Sequence, residues 1–228
     1  HEDVKKEFLG QFAKKFDQSP ETDDNSFLSI AYRREGRNIY LNVPKLWKSL
    51  EKLTAKHALP KARGAPLPGN AFELLAEDES ETNPPVDKSE CDVRAILGTA
   101  MWGVYAVRPA EALAVAAVAR RVHRPTKNVK DILLGLCAYL IAHKDDELAI
   151  TPSEDTMPVT FVDSSWANDP CTQRSWFGYC IMWAGCPFAF RAKLEPSVTV
   201  STRDSEALGA CFAIKAMLSV LIILSELG

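Results

Sequence analysis

Residues 160–169 read Thr-Phe-Val-Asp-Ser-Ser-Trp-Ala-Asn-Asp, and this stretch decides the fold of the second half of the chain. The run from Pro158 to Val162 predicts a strand that ends at the acidic residue Asp163. Two further strand-like runs and a long apolar helix follow, at Trp176 to Trp183, at Cys186 to Ala192 and from about Asp204 to the end. The sequence therefore predicts three strands and then a helix, with a carboxylate at the end of the first strand.

The first half of the chain combines helices with one hairpin. Phenylalanines at four-residue spacing, with lysines between them, predict an amphipathic helix over Val4 to Phe16. Two strand-like runs, Phe27 to Tyr32 and Asn38 to Val43, are joined by a turn and predict a hairpin. A helix that begins at Pro44 and buries Trp47 should follow. Three more helices are expected at Ser89 to Tyr105, Ala110 to His123 and Thr126 to His143.

Charge is distributed in blocks along the chain. The 228 residues carry 27 basic and 30 acidic side chains, and 46% of them are hydrophobic, which excludes wholesale disorder and fibrous repeats. The net charge of −3 argues against a uniformly basic nucleic-acid coat. Residues 71–92 nevertheless hold eight acidic groups and one basic group, whereas residues 93–130 hold seven basic groups and one acidic group. This alternation fits separate surfaces with different partners, or solvated faces that cluster without a partner.

Two further features bear on organisation and cellular compartment. From Pro60 to Pro85 the chain is rich in proline, glycine and acidic residues, which predicts a mobile linker. The six cysteines form no Cys-x-x-Cys pair and have no histidine at ligand spacing, so a zinc site is not expected. Most of them lie among apolar neighbours, and no basic-then-apolar leader follows His1. These features predict reduced, buried cysteines and an intracellular protein, either processed or excised from a longer one.

Seven short motifs occur in order along the chain. They are Phe27 to Ile30, Arg94 to Gly98, Arg108-Pro109 with Ala114-Val115 and Arg120 to Thr126, Val162 to Asp169, Arg174 to Tyr179, Ser201 to Glu206 and Glu226 to Gly228. In this order they resemble elements of the pol polyprotein of copia-type LTR retrotransposons. The resemblance runs from just after the reverse transcriptase active site into the ribonuclease H (RNase H) domain and covers nearly the whole chain.

The resemblance implies an α+β fold. It consists of a helical thumb- or connection-like region with a β-hairpin, followed by an incomplete RNase H-like fold of three strands and a long helix. Residues 1–60 would be the end of the reverse transcriptase palm with the hairpin, and residues 61–90 an acidic, proline-rich linker. Residues 91–150 would form the helical thumb- or connection-like region, and residues 151–228 a partial RNase H-like domain.

The chemistry that the resemblance implies is two-metal phosphodiester hydrolysis, in which Mg²⁺ ions hold the attacking water and the leaving oxygen. Asp163 and Glu206 match the first two acidic positions of the family's catalytic metal site. Each also has a structural interpretation, Asp163 as a strand-end turn residue and Glu206 as a first-turn acid stabilised by the helix dipole. We expect Asp204 to be a helix N-cap. The family's third RNase H aspartate and its polymerase aspartate pair are not in this sequence, so enzymatic activity stays open.

The basic stretch would lie along the phosphates of an RNA/DNA hybrid. The residues predicted to bind nucleic acid are Arg94, Arg108, Arg120, Arg121, Arg124, Lys127 and Lys130. Trp102 lies in the same stretch and either stacks on a base or packs in the core, and we expect the core position.

The last helix departs most from the family, which carries charged residues on the exposed face of this helix. From Ala207 to Ser225 only Lys215 is charged. A helix that is apolar all round needs a cover, and we expect further sequence or a protein partner over residues 207–225. Its length permits a membrane span, but the strand-rich segment before it and Lys215 argue against one. Two functions stay open: a catalytic polyprotein fragment that grips a hybrid, or a decayed or repurposed subunit with a structural or interaction role.

Overall fold

The structure is a computed structural model that describes residues 26–154 and 157–227. The helix predicted over Val4 to Phe16 lies outside the described residues. The described strands are β1 Ser26–Phe27, β2 Ile30–Glu35, β3 Asn38–Asn42, β4 Leu148–Ile150, β5 Val159–Ser165, β6 Trp176–Trp183 and β7 Cys186–Leu194. The described α-helices are α1 Pro44–Thr54, α2 Ala71–Ala76, α3 Val93–Val107, α4 Ala112–Ala119, α5 Lys127–Ala142 and α6 Thr202–Leu227, with a 3₁₀ turn at Pro109–Glu111. The described chain is thus mixed α and β, with two small antiparallel sheets.

The first sheet has the strand order β1-β2-β3-β4 and contains the predicted hairpin. β2 and β3 pair from Ala31 opposite Asn42 to Glu35 opposite Asn38, and Gly36 supplies the positive φ of 60° that the tight turn needs. The first hairpin strand begins later than predicted because Leu28 and Ser29 adopt positive φ and form a turn of their own. β4, a short strand that the sequence pattern did not predict, closes the sheet by pairing with β3.

Helices α1, α3, α4 and α5 form the main core. Trp47 of α1 is 1% exposed and lies against Gly103 of α3, where a Cβ would come within 2.6 Å of the Trp47 ring. The three predicted helices after residue 88 are confirmed, with shifted boundaries. Asp92, rather than Ser89, caps α3, because its Oδ1 accepts a hydrogen bond of 3.0 Å from the Ala95 N–H.

The segment predicted to be a mobile linker instead packs against the helical core. It contains α2, whose Ala71 and Leu75 are buried, and Val86 is buried after it. Asn83 is 1% exposed and its Oδ1 accepts a hydrogen bond of 2.9 Å from the Asn128 N–H at the start of α5. Composition pointed to a linker because few residues of the segment are apolar, and those few are the ones that anchor it.

The second sheet has the order β5-β6-β7 and lies between α6 and the helical core. On one face Phe177 stacks on Phe212 of α6, with 4.9 Å between ring centroids. On the other face Trp176 is 5% exposed and belongs to the main core, with Phe72 of α2 at 5.8 Å between ring centroids. The predicted order of three strands and a long helix is therefore confirmed.

Cysteine labelling is expected to follow burial. Cys91, Cys137 and Cys186 are buried, whereas Cys171 and Cys211 are exposed. Burial raises the pKa of Cys137 to about 12, so at pH near 8 almost none of it is the reactive thiolate. With a maleimide in excess, mass spectrometry should find Cys171 and Cys211 modified first and Cys137 protected. In concentrated guanidinium chloride all of them should react, and fast labelling of Cys137 in the folded protein would contradict the described packing.

Candidate functional site

The end of β5 and the start of α6 are hydrogen-bonded to each other, next to the two candidate carboxylates in the sequence. Ser164 Oγ donates a hydrogen bond of 3.2 Å to the Ser205 carbonyl. α6 can approach β5 this closely because Gly209 of α6 faces the sheet. A Cβ on Gly209 would lie only 2.5 Å from Ser164 Oγ. Asp163 and Glu206 each lie one residue from the Ser164–Ser205 bond, and both side chains are exposed. The backbone segments that carry Asp163 and Glu206 therefore lie next to each other.

The side chain of Asp163 nevertheless lies on the face of the sheet away from α6. Asp163 pairs with Gly178 and Ser164 with Phe177, and successive side chains of a strand alternate between faces. Because Ser164 and Phe177 contact α6, Asp163 belongs to the opposite face. There it lines an open groove of about 330 Å³ together with Phe161 and Leu113.

The first turn of α6 is fixed by hydrogen bonds between Ser201 and Asp204. Ser201 Oγ donates a hydrogen bond of 2.8 Å to Asp204 Oδ2 and accepts one of 3.2 Å from the Asp204 N–H. Ser201 is therefore the N-cap, and the expectation that Asp204 holds that position is wrong. Since Asp204 bonds within the cap, it supports the turn that carries Glu206.

A buried glutamate that the sequence interpretation missed joins the sheet to α6. Glu195 follows β7 and is 0% exposed. Its Oε1 accepts a hydrogen bond of 2.8 Å from Ser205 Oγ, and its N–H donates one of 2.8 Å to the Ser175 carbonyl. Thr199 Oγ1 donates a longer one of 3.5 Å to Oε2. No sequence signal marks Glu195, because its partners come from separate segments.

The carboxylates of the described chain do not form a complete metal centre. Within residues 26–154 and 157–227, no group of three or more histidine, cysteine, aspartate or glutamate side chains is placed to hold a metal ion. A two-metal centre needs several converging carboxylates. Asp163 and Glu206 do not supply such a set by themselves, so the described residues do not fit a full pair of Mg²⁺ ions.

Three of the seven predicted phosphate-binding cations are arginines that bind buried carboxylates or backbone carbonyls. Arg108 is 8% exposed and lies 3.3 Å from Glu111 Oε1. Arg120 forms an ion pair with the buried carboxylate of Asp169. Arg121 donates to carbonyls at the end of α2, including one of 2.6 Å to Ala76. These guanidinium groups hold the fold together, and binding of nucleic acid by them remains a prediction.

The other four predicted cations lie near the surface and differ in their pairing. Lys127 Nζ lies 2.8 Å from Asp131, and Lys130 is paired with Glu90, whose hydrogen bond raises the pKa of Lys130. Arg94 and Arg124 are exposed, and their side chains make no hydrogen bond or ion pair with another described residue. They are the two predicted cations without an ion pair among the described residues, and Arg124 lines a cavity with Glu77, Asp78 and Glu79.

Trp102 is on the surface, so the expectation of a core position is wrong. Its side chain is 50% exposed on the outward face of α3. Tyr105, one turn further, is 36% exposed and stacks on Phe190 of β7 at 6.3 Å between ring centroids. Periodicity could not decide the orientation of Trp102, because apolar residues occupy almost all sides of α3.

The outward face of α6 is apolar and uncovered in the described structure. Its largest exposed side chains are 42–61% exposed, and they are Ile214, Leu218, Leu221, Ile222 and Ile223. By length and composition alone, Thr202–Glu226 is a helix that could cross a membrane, with 17% of its most apolar window buried. The helix also packs against β5 and β6.

Comparison with known proteins gives two relatives. The chain is similar to a retrovirus-related Pol polyprotein from a transposon of Nicotiana tabacum, with 24% identity over 222 residues, which cover 96% of this chain and 16% of the tobacco protein. It is also similar to an uncharacterised mitochondrial protein of Arabidopsis thaliana, with 31% identity over 124 residues, which cover 50% of this chain and 48% of that protein. No family model and no solved structure matches the chain. The chain thus spans less than half of either relative, and the two matches support a relationship with retrotransposon Pol polyproteins.

Proposed function

We propose that the chain is a fragment of a copia-type retrotransposon reverse transcriptase and RNase H that binds an RNA/DNA hybrid. The observation that carries this proposal is the junction of β5 and α6. Three antiparallel strands are followed by a helix whose first turn is hydrogen-bonded to the end of β5, one residue from Asp163 and one from Glu206. This order of strands and helix is the one that the RNase H resemblance implies. Because the Asp163 side chain lies on the face away from α6, a hydrolytic centre would need further carboxylates and a different placement of Asp163 in the intact parent protein.

Hybrid binding would depend on the free cations of the basic stretch. Arg94 and Arg124 form no ion pair with a described residue, although Arg124 lines a cavity with the acidic residues 77–79. Arg108 and Arg120, by contrast, are held by Glu111 and Asp169. Unpaired guanidinium groups at a surface bind phosphate oxygens with little competition from the protein itself. The number of phosphates of the hybrid that the chain binds should therefore be smaller than the seven basic residues of the stretch suggest.

The affinity for a hybrid should fall steeply with salt. We expect the logarithm of the binding constant to decrease linearly with the logarithm of salt concentration, because binding releases condensed counterions. In the double variant Arg94→Ala, Arg124→Ala the slope should become shallower by about two. Fluorescence anisotropy of a labelled hybrid measures both. Arg37→Ala, an exposed arginine of the hairpin turn, is the matched control and should keep the slope. A salt-independent affinity would rule the proposal out.

A second candidate is a non-catalytic structural or interaction subunit. The apolar outward face of α6 favours it, because only Lys215 is charged between residues 207 and 225 and a protein partner over this face would explain its composition. The incomplete carboxylate set points in the same direction. Cleavage of a labelled hybrid in Mg²⁺ separates the two candidates. The subunit hypothesis expects no cleavage at any protein concentration, and cleavage that Asp163→Asn abolishes would refute it.

A further inference from the structure

The outward face of α3 carries aromatic rings and an unpaired cation along one line. Arg94 lies in the first turn, Gly98 one turn later, and Trp102 and Tyr105 beyond it; all four are exposed. We call these four residues the α3 track. From Arg94 to Tyr105 the track is about 16 Å long, since a helix rises about 1.5 Å per residue.

At one end of the α3 track the ring of Tyr105 is held in place by a neighbouring ring. Tyr105 stacks on Phe190 with an angle of 22° between the rings, so one face of the Tyr105 ring packs against Phe190. Burial against this neighbour raises the pKa of Tyr105, and the nearby charge of Arg191 opposes that rise. Arg191, the residue after Phe190 on β7, is exposed.

At the other end Arg94 opens onto a shallow cavity of about 260 Å³ that it shares with His123 and Pro125. The acidic neighbour in this cavity, Asp92, is engaged with the Ala95 N–H and lies 3.5 Å from Lys88 Nζ. Arg94 itself has no ion pair with a described residue. The local charge at this end of the track is therefore positive.

The middle of the α3 track is open. Apart from the adjacent residues and the backbone of α3 itself, nothing lies within 4 Å of the position where a Cβ of Gly98 would be. A flat group can therefore approach the helix backbone between Arg94 and the ring of Trp102 without meeting a side chain. An arginine at one end, exposed aromatic rings and an open space between them form a combination that suits single-stranded nucleic acids. Their bases stack on aromatic rings while their phosphates pair with arginines.

We infer that the α3 track binds a single-stranded stretch of RNA or DNA, with bases stacked on Trp102 and Tyr105 and a phosphate paired with Arg94. In a duplex the bases are already stacked on each other, so exposed rings favour an unpaired strand over the hybrid itself. The proposal rests on the proposed function, in which the chain binds a hybrid, and it assigns the adjoining single strand to the α3 track, which shares Arg94 with the hybrid-binding residues.

The test compares two labelled probes, a blunt RNA/DNA hybrid and the same hybrid with a single-stranded overhang. For the unmodified protein we expect tighter binding of the overhang probe. In Trp102→Ala that advantage should fall by about tenfold, while affinity for the blunt hybrid changes less than about twofold. Trp102→Phe should retain most of the advantage because a ring remains. Tyr32→Ala removes another half-exposed aromatic side chain, from β2 of the first sheet, and should leave both affinities unchanged.

The outcomes separate this inference from the proposed function. If the unmodified protein binds neither probe, both fail. If it binds the blunt hybrid with the expected salt dependence but gains nothing from the overhang, the α3 track is not a single-strand site and the proposed function stands. The same conclusion follows if Trp102→Ala binds the overhang probe as tightly as the unmodified protein does. Equal weakening by Tyr32→Ala would show a general loss of folded protein, and circular dichroism of each variant checks for it.

Discussion

Trp47→Ala is expected to lower the free energy of unfolding by about 3–5 kcal/mol. The side chain is 1% exposed and fills the space between α1 and α3, where Gly103 offers no side chain to replace it. Its Nε1–H also donates a hydrogen bond of 3.0 Å to Asn42 Oδ1 at the end of β3. The substitution therefore leaves a cavity and removes a link between the first sheet and the helical core. Urea unfolding followed by circular dichroism measures the loss.

Trp102→Ala is the matched control, since it makes the same chemical change on the partner helix. Trp102 is 50% exposed, so its removal should change the free energy of unfolding by less than about 1 kcal/mol. A loss of similar size in both variants would contradict the described packing of α3. Comparing the two variants also separates an effect on stability from an effect on binding. Trp102→Ala is expected to impair single-strand binding in a protein that remains folded.

These two tryptophans show what the sequence could and could not predict about the fold. Trp47 lies in a helix with one clear apolar face, so its burial followed from periodicity. Trp102 lies in a helix with apolar residues on nearly every side, and its exposure depends on which face the neighbouring elements cover. The strand order of the second sheet was predictable because its three strands and helix follow one another along the chain. The packing of the segment between α1 and α3 was not, since it depends on single residues such as Asn83.

For the candidate site, too, some features could be predicted from the sequence and others could not. That Asp163 and Glu206 lie near each other followed from the order of strands and helix, whereas the face on which Asp163 lies depends on the pairing register with β6. The partners of the arginines in the basic stretch could not be predicted from the sequence either. Arg120 pairs with Asp169, 49 residues later, and Arg121 reaches the carbonyl of Leu75, 46 residues earlier. Only the assembled fold shows which cations are used internally.

Glu111→Ala tests one of these internal pairs and is expected to cost about 3–5 kcal/mol of the free energy of unfolding. Glu111 is 4% exposed and lies 3.3 Å from a guanidinium nitrogen of Arg108, which is 8% exposed. Without the carboxylate, Arg108 keeps the His143 carbonyl at 3.2 Å and the more exposed Asp146 at 3.4 Å. Two such partners compensate a buried positive charge poorly, because the removed carboxylate was the one shielded from solvent.

Asp131→Ala is the control for Glu111→Ala, because it breaks an ion pair of similar sequence spacing at the surface. Lys127 and Asp131 are about half exposed, and breaking their pair should change the free energy of unfolding by about 0.5 kcal/mol or less. The comparison also decides the role of Arg108. If Glu111→Ala unfolds like the unmodified protein and binds a hybrid more tightly, the guanidinium group is released toward phosphates and Arg108 belongs to the nucleic-acid surface. A large loss of stability makes Arg108 part of the core, where a phosphate does not reach it.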